Sequence, residues 1–254
     1  MDLGAPVGGD GRAELMLALL ADARLPTGGH TQSAGLEPAL RGGMRAAAVP
    51  DYVRARLATV TRVEAATAVV ARHAVVAAPG ASDALVDTWR AWAARTPSPA
   101  LRETSQRLGR GYLRLLRRLW AGHPGVGALD DAAHRVAAEA DEGAASGTRG
   151  RGAPPPRPVV LGVTAACAGL SALQVARLVG YEDVQTVAAA TLKLEPVDPV
   201  VATGWVVDAQ PAVDALARDV AHLTHPRAIP AHGAPLVEQW AETHARTTER
   251  LFSA

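Results

Sequence analysis

SPALRETSQRLGRGYLRLLRRLW, residues 98–120, is the stretch that decides the fold class. Ser98-Pro99 opens a helix, because proline suits a first helical turn. Leu101, Ser105, Leu108, Tyr112, Leu115 and Leu119 then recur at steps of three and four, the spacing of one helical face. Arg107, Arg110, Arg114 and Arg117 line another face. The pattern is that of an amphipathic helix, with no strand-like alternation.

The same periodicity extends on both sides. Toward the N-terminus, Pro50 and Asp51 suit the start of a helix. Val53, Leu57, Val60, Thr67, Val70 and Ala74 form its core stripe, and Pro79-Gly80 stops it. Ser82 is expected to cap a shorter helix through Trp89 and Trp92. Short helices are expected at 13–21 and 31–40, the second ended by Gly42-Gly43. Toward the C-terminus, helices are expected at 128–142, at 159–179 with a break near Gly169-Leu170-Ser171, at 182–194, at 214–222 and at 232–250. Residues 200–207 fit a strand or a helix, and the helical surroundings favour helix. About ten helices in an all-α, single-domain bundle result.

Composition agrees. The chain has 254 residues, 48% hydrophobic and only 4% aromatic, enough for one sizeable core. Its abundant alanine has the best helix propensity. Residues 1–12 are Gly-rich and read as a disordered N-terminus lacking the order of a signal peptide. Residues 13–254 read as one helical domain. Residues 143–158, rich in Gly, Ser and Pro, read as a flexible loop within it.

A net charge of +1 marks no global field for nucleic acid or membrane. No apolar run is long enough to span a bilayer. Cys167 is the single cysteine, which excludes an intramolecular disulfide and a Cys-x-x-Cys zinc cluster. A cytoplasmic protein is expected. Cys167 lies among small apolar residues and reads as a structural thiol rather than a nucleophile.

Catalytic motifs are missing. A phosphate-binding P-loop needs Gly-Lys-Ser/Thr, and the only lysine, Lys193, is followed by Leu194. Neither a Gly-x-Ser-x-Gly elbow nor a His-Glu-x-x-His pair is present. His222 and His225 sit three apart, as metal ligands on a helix do, but Pro226 follows and no Cys or acidic residue completes a shell. They read as solvent-facing or capping, with a metal site as the alternative. The arginine face of 98–120 reads as solvated, with an acidic or phosphate-bearing partner as the alternative.

One turn is costly for its length. Leu25-Pro26-Thr27-Gly28-Gly29 joins two short helices and is followed by Ser33-Ala34-Gly35-Leu36-Glu37. Paired glycines permit backbone angles closed to other residues. Gly35 inside a short helix would cost about 1 kcal/mol against alanine, which points to close packing there.

Leu19–Glu37 resembles the N-terminal signature of the UreF family of urease accessory proteins, in outline Leu-x-x-Ala/Ser-x-x-x-Leu-Pro-x-Gly-x-Phe-x-x-Ser-x-Gly-Leu-Glu. Pro26, Gly28, Ser33, Gly35, Leu36 and Glu37 fall in register. Arg102 to Arg110 is similar to the family's mid-chain Arg/Ser/Gly helix, and Pro158 to Gly162 to the opening of its second half. His244 and Arg250-Leu251-Phe252-Ser253 resemble its closing segment. His30 stands for the usual Phe, Gln32 for Tyr and Ala245 for Glu. The Gly-Gln-x-x-x-Gln segment expected after Lys193-Leu194-Glu195-Pro196 is unmatched.

The resemblance implies an all-helical, dimeric scaffold with no catalysis and no cofactor. It would bridge a UreD/UreH-type accessory protein and a UreG-type GTPase on apo-urease and gate nickel insertion. Pro26, Thr27, Gly28, Gly29, Ser33, Gly35, Leu36, Glu37, Arg102, Arg107, Arg110, Lys193, His244, Arg250, Leu251 and Phe252 are the implied partner-binding residues. Phe252, the only phenylalanine, reads as an exposed aromatic anchor. An all-α transcriptional regulator and a histidine-based metal-binding protein are the competing readings; a recognition helix or a stoichiometric metal would mark them.

Gly28→Val and Gly29→Val are each expected to damage folding or assembly, because a β-branched residue resists positive backbone angles. Circular dichroism and partner affinity check this.

Overall fold

Helix α4 (Val60–Ala77) is the axis of the fold, in a computed structural model that describes residues 10–143, 154–248 and 250–253. Its sequence, VTRVEAATAVVARHAVVA, is apolar nearly all round, and eleven of its residues are buried, from Thr61 to Val75. A helix of that kind must be covered on several sides. It packs most extensively on α8 (Arg157–Cys167) and α9 (Ala172–Leu194), and further on α5 (Asp83–Ala94), α3 (Val49–Ala58) and α11 (Gln210–Val220). Helix α6 (Pro99–Leu119) lies across α8, and α12 (Pro235–Ala245) lies on α6 and α2 (Leu36–Arg41). The remaining helices are α1 (Asp10–Leu20), α7 (Pro124–Gly143) and α10 (Pro199–Asp208), with short 3-10 turns at Gly29–Thr31, Ala46–Ala48 and Pro226–Ala228.

The all-α class expected from the sequence is what the structure shows, and the described residues contain no strand. Residues 200–207 lie in helix α10. The break expected near Gly169 is real: Gly169 has φ +75°, and Ser171 starts α9 with a reciprocal capping box to Gln174. Ser98 caps α6 by accepting from Leu101 N–H at 3.2 Å. Ser82 precedes α5 but makes no cap bond; its hydroxyl accepts from Arg135 instead. Residues 1–9 and 144–153 lie outside the described residues, and with them most of the expected N-terminal tail and of the expected loop.

Three expectations are corrected. The stretch to 179 and the separate helix expected at 182–194 are one continuous helix, α9. The helix expected from Pro50 onward is two helices, because Thr59 (φ −125°, ψ −97°) leaves the helical region. The periodicity runs through the break, so composition does not signal it. On α6 the buried face is Ala100, Ser105, Gly109, Tyr112, Leu113 and Leu116, while Leu119 is exposed. The face is rotated from the leucine stripe toward Gly109. Gly109 lies against the Pro155 carbonyl and Gly111 against the Thr27 backbone, where any side chain would overlap. Close backbone approach outweighs leucine burial at those positions.

Gly162 is the corresponding contact of α8 with the Ala68–Arg72 backbone of α4. Gly162→Ala is expected to destabilise by about 1–3 kcal/mol through overpacking. Gly204 in α10 faces open space, so Gly204→Ala is expected to stabilise by about 0.5–1 kcal/mol. Opposite shifts of the thermal midpoint check the pair.

Candidate functional site

Glu37, at the start of α2, has a side chain with no solvent exposure. A buried carboxylate must be met by donors. Leu251 and Phe252 donate their backbone N–H groups to its two oxygens at 2.8 and 2.9 Å. Arg41, one turn on, pairs with it at 2.9 Å. His244 on α12 places Nε2 3.9 Å from Glu37 and 3.3 Å from the Phe252 carbonyl. Glu37 therefore clasps the 250–253 segment onto the N-terminal turn, across more than two hundred residues of sequence.

Further contacts close the clasp. Ser253 donates its N–H to the Thr31 carbonyl at 2.9 Å, and Gln32 Nε2 donates to Ser253 Oγ at 3.1 Å. Arg107 on α6 donates to the Ser253 carbonyl at 3.3 Å. Lys193, near the end of α9, donates to the His30 carbonyl at 3.4 Å, and its ammonium sits 5.1 Å from the centre of the Phe252 ring. Phe252, expected to be exposed, is buried at 4% and belongs to the core; Leu251 beside it is 61% exposed. The backbone bonds to Glu37 turn the phenylalanine inward.

The turn itself is held from outside. Gly28 and Gly35 have φ +88° and +79°, and Ala34 has φ +52°. A non-glycine there costs about 1–3 kcal/mol, offset here by Tyr52, whose hydroxyl donates to the Ala34 carbonyl at 2.7 Å. A Cβ on Gly35 would sit 2.9 Å from that hydroxyl, so Gly35 is closely packed, but by side chains and at the position before α2 rather than inside a helix against another backbone as expected. Gly29 is different from its expectation: its φ is not positive and a Cβ there meets only the Thr27 hydroxyl at 4.0 Å. The strain argument against a side chain applies to Gly28 and not to Gly29.

Beneath the clasp is a buried ionic network that sequence reasoning missed. Arg157, at the start of α8, bridges Glu64 of α4 at 3.2 Å and Glu182 of α9 at 2.5 Å. Tyr112 of α6 donates to Glu182 at 2.5 Å. Trp92 and Ser105 donate to Glu64 at 3.1 and 3.2 Å. Arg56 forms a two-pronged pair with Asp183 at 3.0 and 2.6 Å, and Thr61 adds a bond at 2.8 Å. The helix break at Thr59 lets Arg56 and Thr61 reach the same carboxylate. Burial pushes the Glu64 carboxyl up, against the Arg157 charge and the bonds it accepts. Burial acts the same way on Asp183, but the Arg56 charge and hydrogen bonds outweigh it and leave that carboxyl below its ordinary value. The available signal was a charge inside an apolar helix, as at Glu64 within Val63-Glu64-Ala65-Ala66.

Among the expected site residues, Thr27 to Glu37, Arg107, Lys193, His244 and Arg250 to Phe252 are brought together. Pro26 joins them through its carbonyl, which accepts from Arg114 at 3.2 Å. Arg102 is held elsewhere, on the carbonyls of Thr96 and Pro97, and Arg110 is exposed. His225 accepts from the Arg227 N–H and caps a 3-10 turn. Among the described residues no group of three or more His, Cys, Asp or Glu converges as for a metal ion, and neither His222 nor His225 joins one. Cys167 is half-buried, and burial pushes its thiol up to about 11, away from reactivity. No helix among the described residues is long and apolar enough to cross a membrane.

Comparison with known proteins follows the same lines. The family model described as UreF matches residues 44–210. A urease accessory protein UreF from Mycobacterium sp. (strain JLS) is 32% identical over 244 residues, 94% of this chain and 97% of that protein. Another, from Mycolicibacterium vanbaalenii, is 44% identical over 108 residues, 41% of this chain and 48% of that protein. A third, from Mycobacterium marinum, is 37% identical over 107 residues, 41% of this chain and 47% of that protein.

Glu37→Gln keeps the shape but sets an amide N–H2 against one of the two backbone donors, and is expected to cost about 1.5–3 kcal/mol, the range for a bond to a charged group. Faster hydrogen exchange at residues 250–253, with central helices unchanged, checks this. The clasp also carries a pH dependence. Burial lowers the His244 pKa, with Arg250 and Arg41 acting in the same sense and Glu37 and the Phe252 carbonyl opposing. The folded state therefore resists a proton that the unfolded chain accepts near pH 6.5. Stability is full above that value and falls as pH drops below it. His244→Gln is expected to flatten this slope in melts between about pH 7 and about pH 5.

Proposed function

Since the chain belongs to the UreF family of urease accessory proteins, we propose that it serves urease maturation as a non-catalytic scaffold, bridging a UreD/UreH-type accessory protein and a UreG-type GTPase and gating nickel insertion into apo-urease. The observation that carries this reading is the clasp. Two segments that resemble the family's opening and closing signatures, Pro26–Glu37 and His244–Phe252, flank the matched residues 44–210 and fold into one unit, which Lys193 and Arg107 close. That unit offers an outer surface built from the N-terminal turn, exposed Leu251 and Arg250, and the end of α9.

The interior chemistry fits a scaffold. Each buried carboxylate, at Glu37, Glu64, Glu182 and Asp183, is occupied by arginine, hydroxyl or backbone donors. None stands ready as a base. The α6 arginines also weigh against a DNA-reading face: Arg107 and Arg114 bind backbone carbonyls, and Arg117 binds Asp130 at 2.6 Å.

The UreD/UreH-type partner is placed on the clasp surface. A second copy of the chain is placed on α10, where Val200, Val201 and Val207 are 77%, 49% and 55% exposed. An apolar helix face left open is a favourable site for association.

Co-expression with UreD/UreH-type and UreG-type proteins, followed by affinity purification, tests the reading. The full chain is expected to yield a stoichiometric complex. Removing residues 250–254 is expected to lose the UreD/UreH-type protein while far-ultraviolet dichroism stays unchanged. A truncated chain that still holds this partner overturns the placement, and a full chain recovered without either partner overturns the scaffold reading.

A further inference from the structure

A cavity of about 230 Å³ lies between the clasp and the ionic network, with Gln32, Arg56, Arg107, Tyr112, Glu182 and Arg250 in its lining. One buried water needs only about 10–15 Å³, so there is room for a small molecule. Its walls are unusual in what they leave unmet. Three buried side-chain atoms lack a hydrogen-bond partner among the described residues: Arg56 Nη1, Arg107 Nε and Gln32 Oε1. All three belong to side chains lining this one cavity. Arg56 and Gln32 are themselves only 6% and 8% exposed, so bulk water does not serve them freely. Arg56 also sits beside the Tyr52 ring and hydroxyl, and the hydroxyl meets part of its demand.

The sign of the missing ligand follows from which groups are already served. The buried acceptors are satisfied: Asp183 is bound by Arg56 and Thr61, Glu64 by Trp92, Ser105 and Arg157, and Glu182 by Tyr112 and Arg157, while Glu103, also in the lining, is exposed and lies 3.9 Å from Arg107 Nη1. A cation entering here would find no free carboxylate oxygen among the buried ones. The unmet groups are two guanidinium N–H donors and one amide acceptor. Two arginine donors ask for an anion with oxygen atoms, since charge-assisted bonds to such groups are the strong ones. The Gln32 oxygen asks for an O–H on the same ligand.

We propose that this cavity is a binding site for a small oxyanion that carries a proton, such as hydrogen phosphate, held by Arg56 and Arg107 and donating to Gln32. The bound anion would tie α3 and α6 to the N-terminal turn and so stiffen the clasp from below. The inference is independent of the partner reading, because the isolated chain suffices to test it.

Calorimetric titration of inorganic phosphate into the isolated full chain, in chloride buffer near neutral pH, is the test. One saturable site is expected, with phosphate also raising the thermal midpoint. Sulfate carries no proton at that pH and is expected to bind more weakly. Arg107→Gln is expected to weaken phosphate binding by roughly tenfold or more, the loss of one charge-assisted bond. Gln32→Leu is expected to abolish the preference for phosphate over sulfate. Arg54→Gln, an exposed arginine one half-turn from Arg56 and outside the cavity, is expected to change nothing. No saturable binding at millimolar phosphate by the folded wild-type chain overturns the proposal. So does binding indifferent to both Arg107→Gln and Gln32→Leu, or equal affinity for the two anions.

Discussion

Arg157 is the constraint around which the other helices settle. Its side chain is 13% exposed and bound on two sides by carboxylates from α4 and α9. Taking such a charge out of water is costly, and only close pairing with every remaining donor and acceptor met repays it. The pairing here is close, and its carboxylate partners are shared out to Trp92, Ser105 and Tyr112. Four helices, α4, α6, α8 and α9, thus have one mutual register that satisfies the network. Losing Arg157 would leave Glu64 and Glu182 without their cation, at a cost of about 3–5 kcal/mol.

Glycine makes that register reachable. Gly162 lets α8 rest on the backbone of α4, and Gly109 and Gly111 let α6 close on Pro155 and Thr27. The last contact has a structural consequence. It seats the N-terminal turn directly on the helix whose other residues reach the ionic network. The turn then offers Glu37 as an acceptor, and residues 250–253 supply the backbone donors. Core and clasp are one construction in which buried polar groups, rather than apolar area, specify which segments meet.

Much of the fold was legible in the apolar spacing. Val53, Leu57, Thr67, Val70 and Ala74 are buried as the stripe required. The break at Gly169 and the cap at Ser98 were readable from residue type, because φ and capping preferences are local. The break at Thr59 was not, since the stripe continues through it. The buried face of α6 was misplaced because leucine was weighed as burial and the glycines were left out, whereas Gly109 marked the closest contact. Phe252 was misjudged for a similar reason: the groups that turn it inward are backbone N–H atoms and a carboxylate over two hundred residues away.

By itself the sequence determined that the chain is all-helical, where some helices begin, as at Ser98-Pro99, and that residues 19–37 and 244–253 resemble UreF signatures. These depend on local propensity, on spacing and on residue identity, all of which are present in a linear chain. Only the tertiary structure decided that the two segments meet, that Glu37 is the residue joining them, and that Arg56, Arg107 and Gln32 line a common cavity. Burial and partnership of a charge are properties of the space around it, and that space is assembled from segments far apart in the chain.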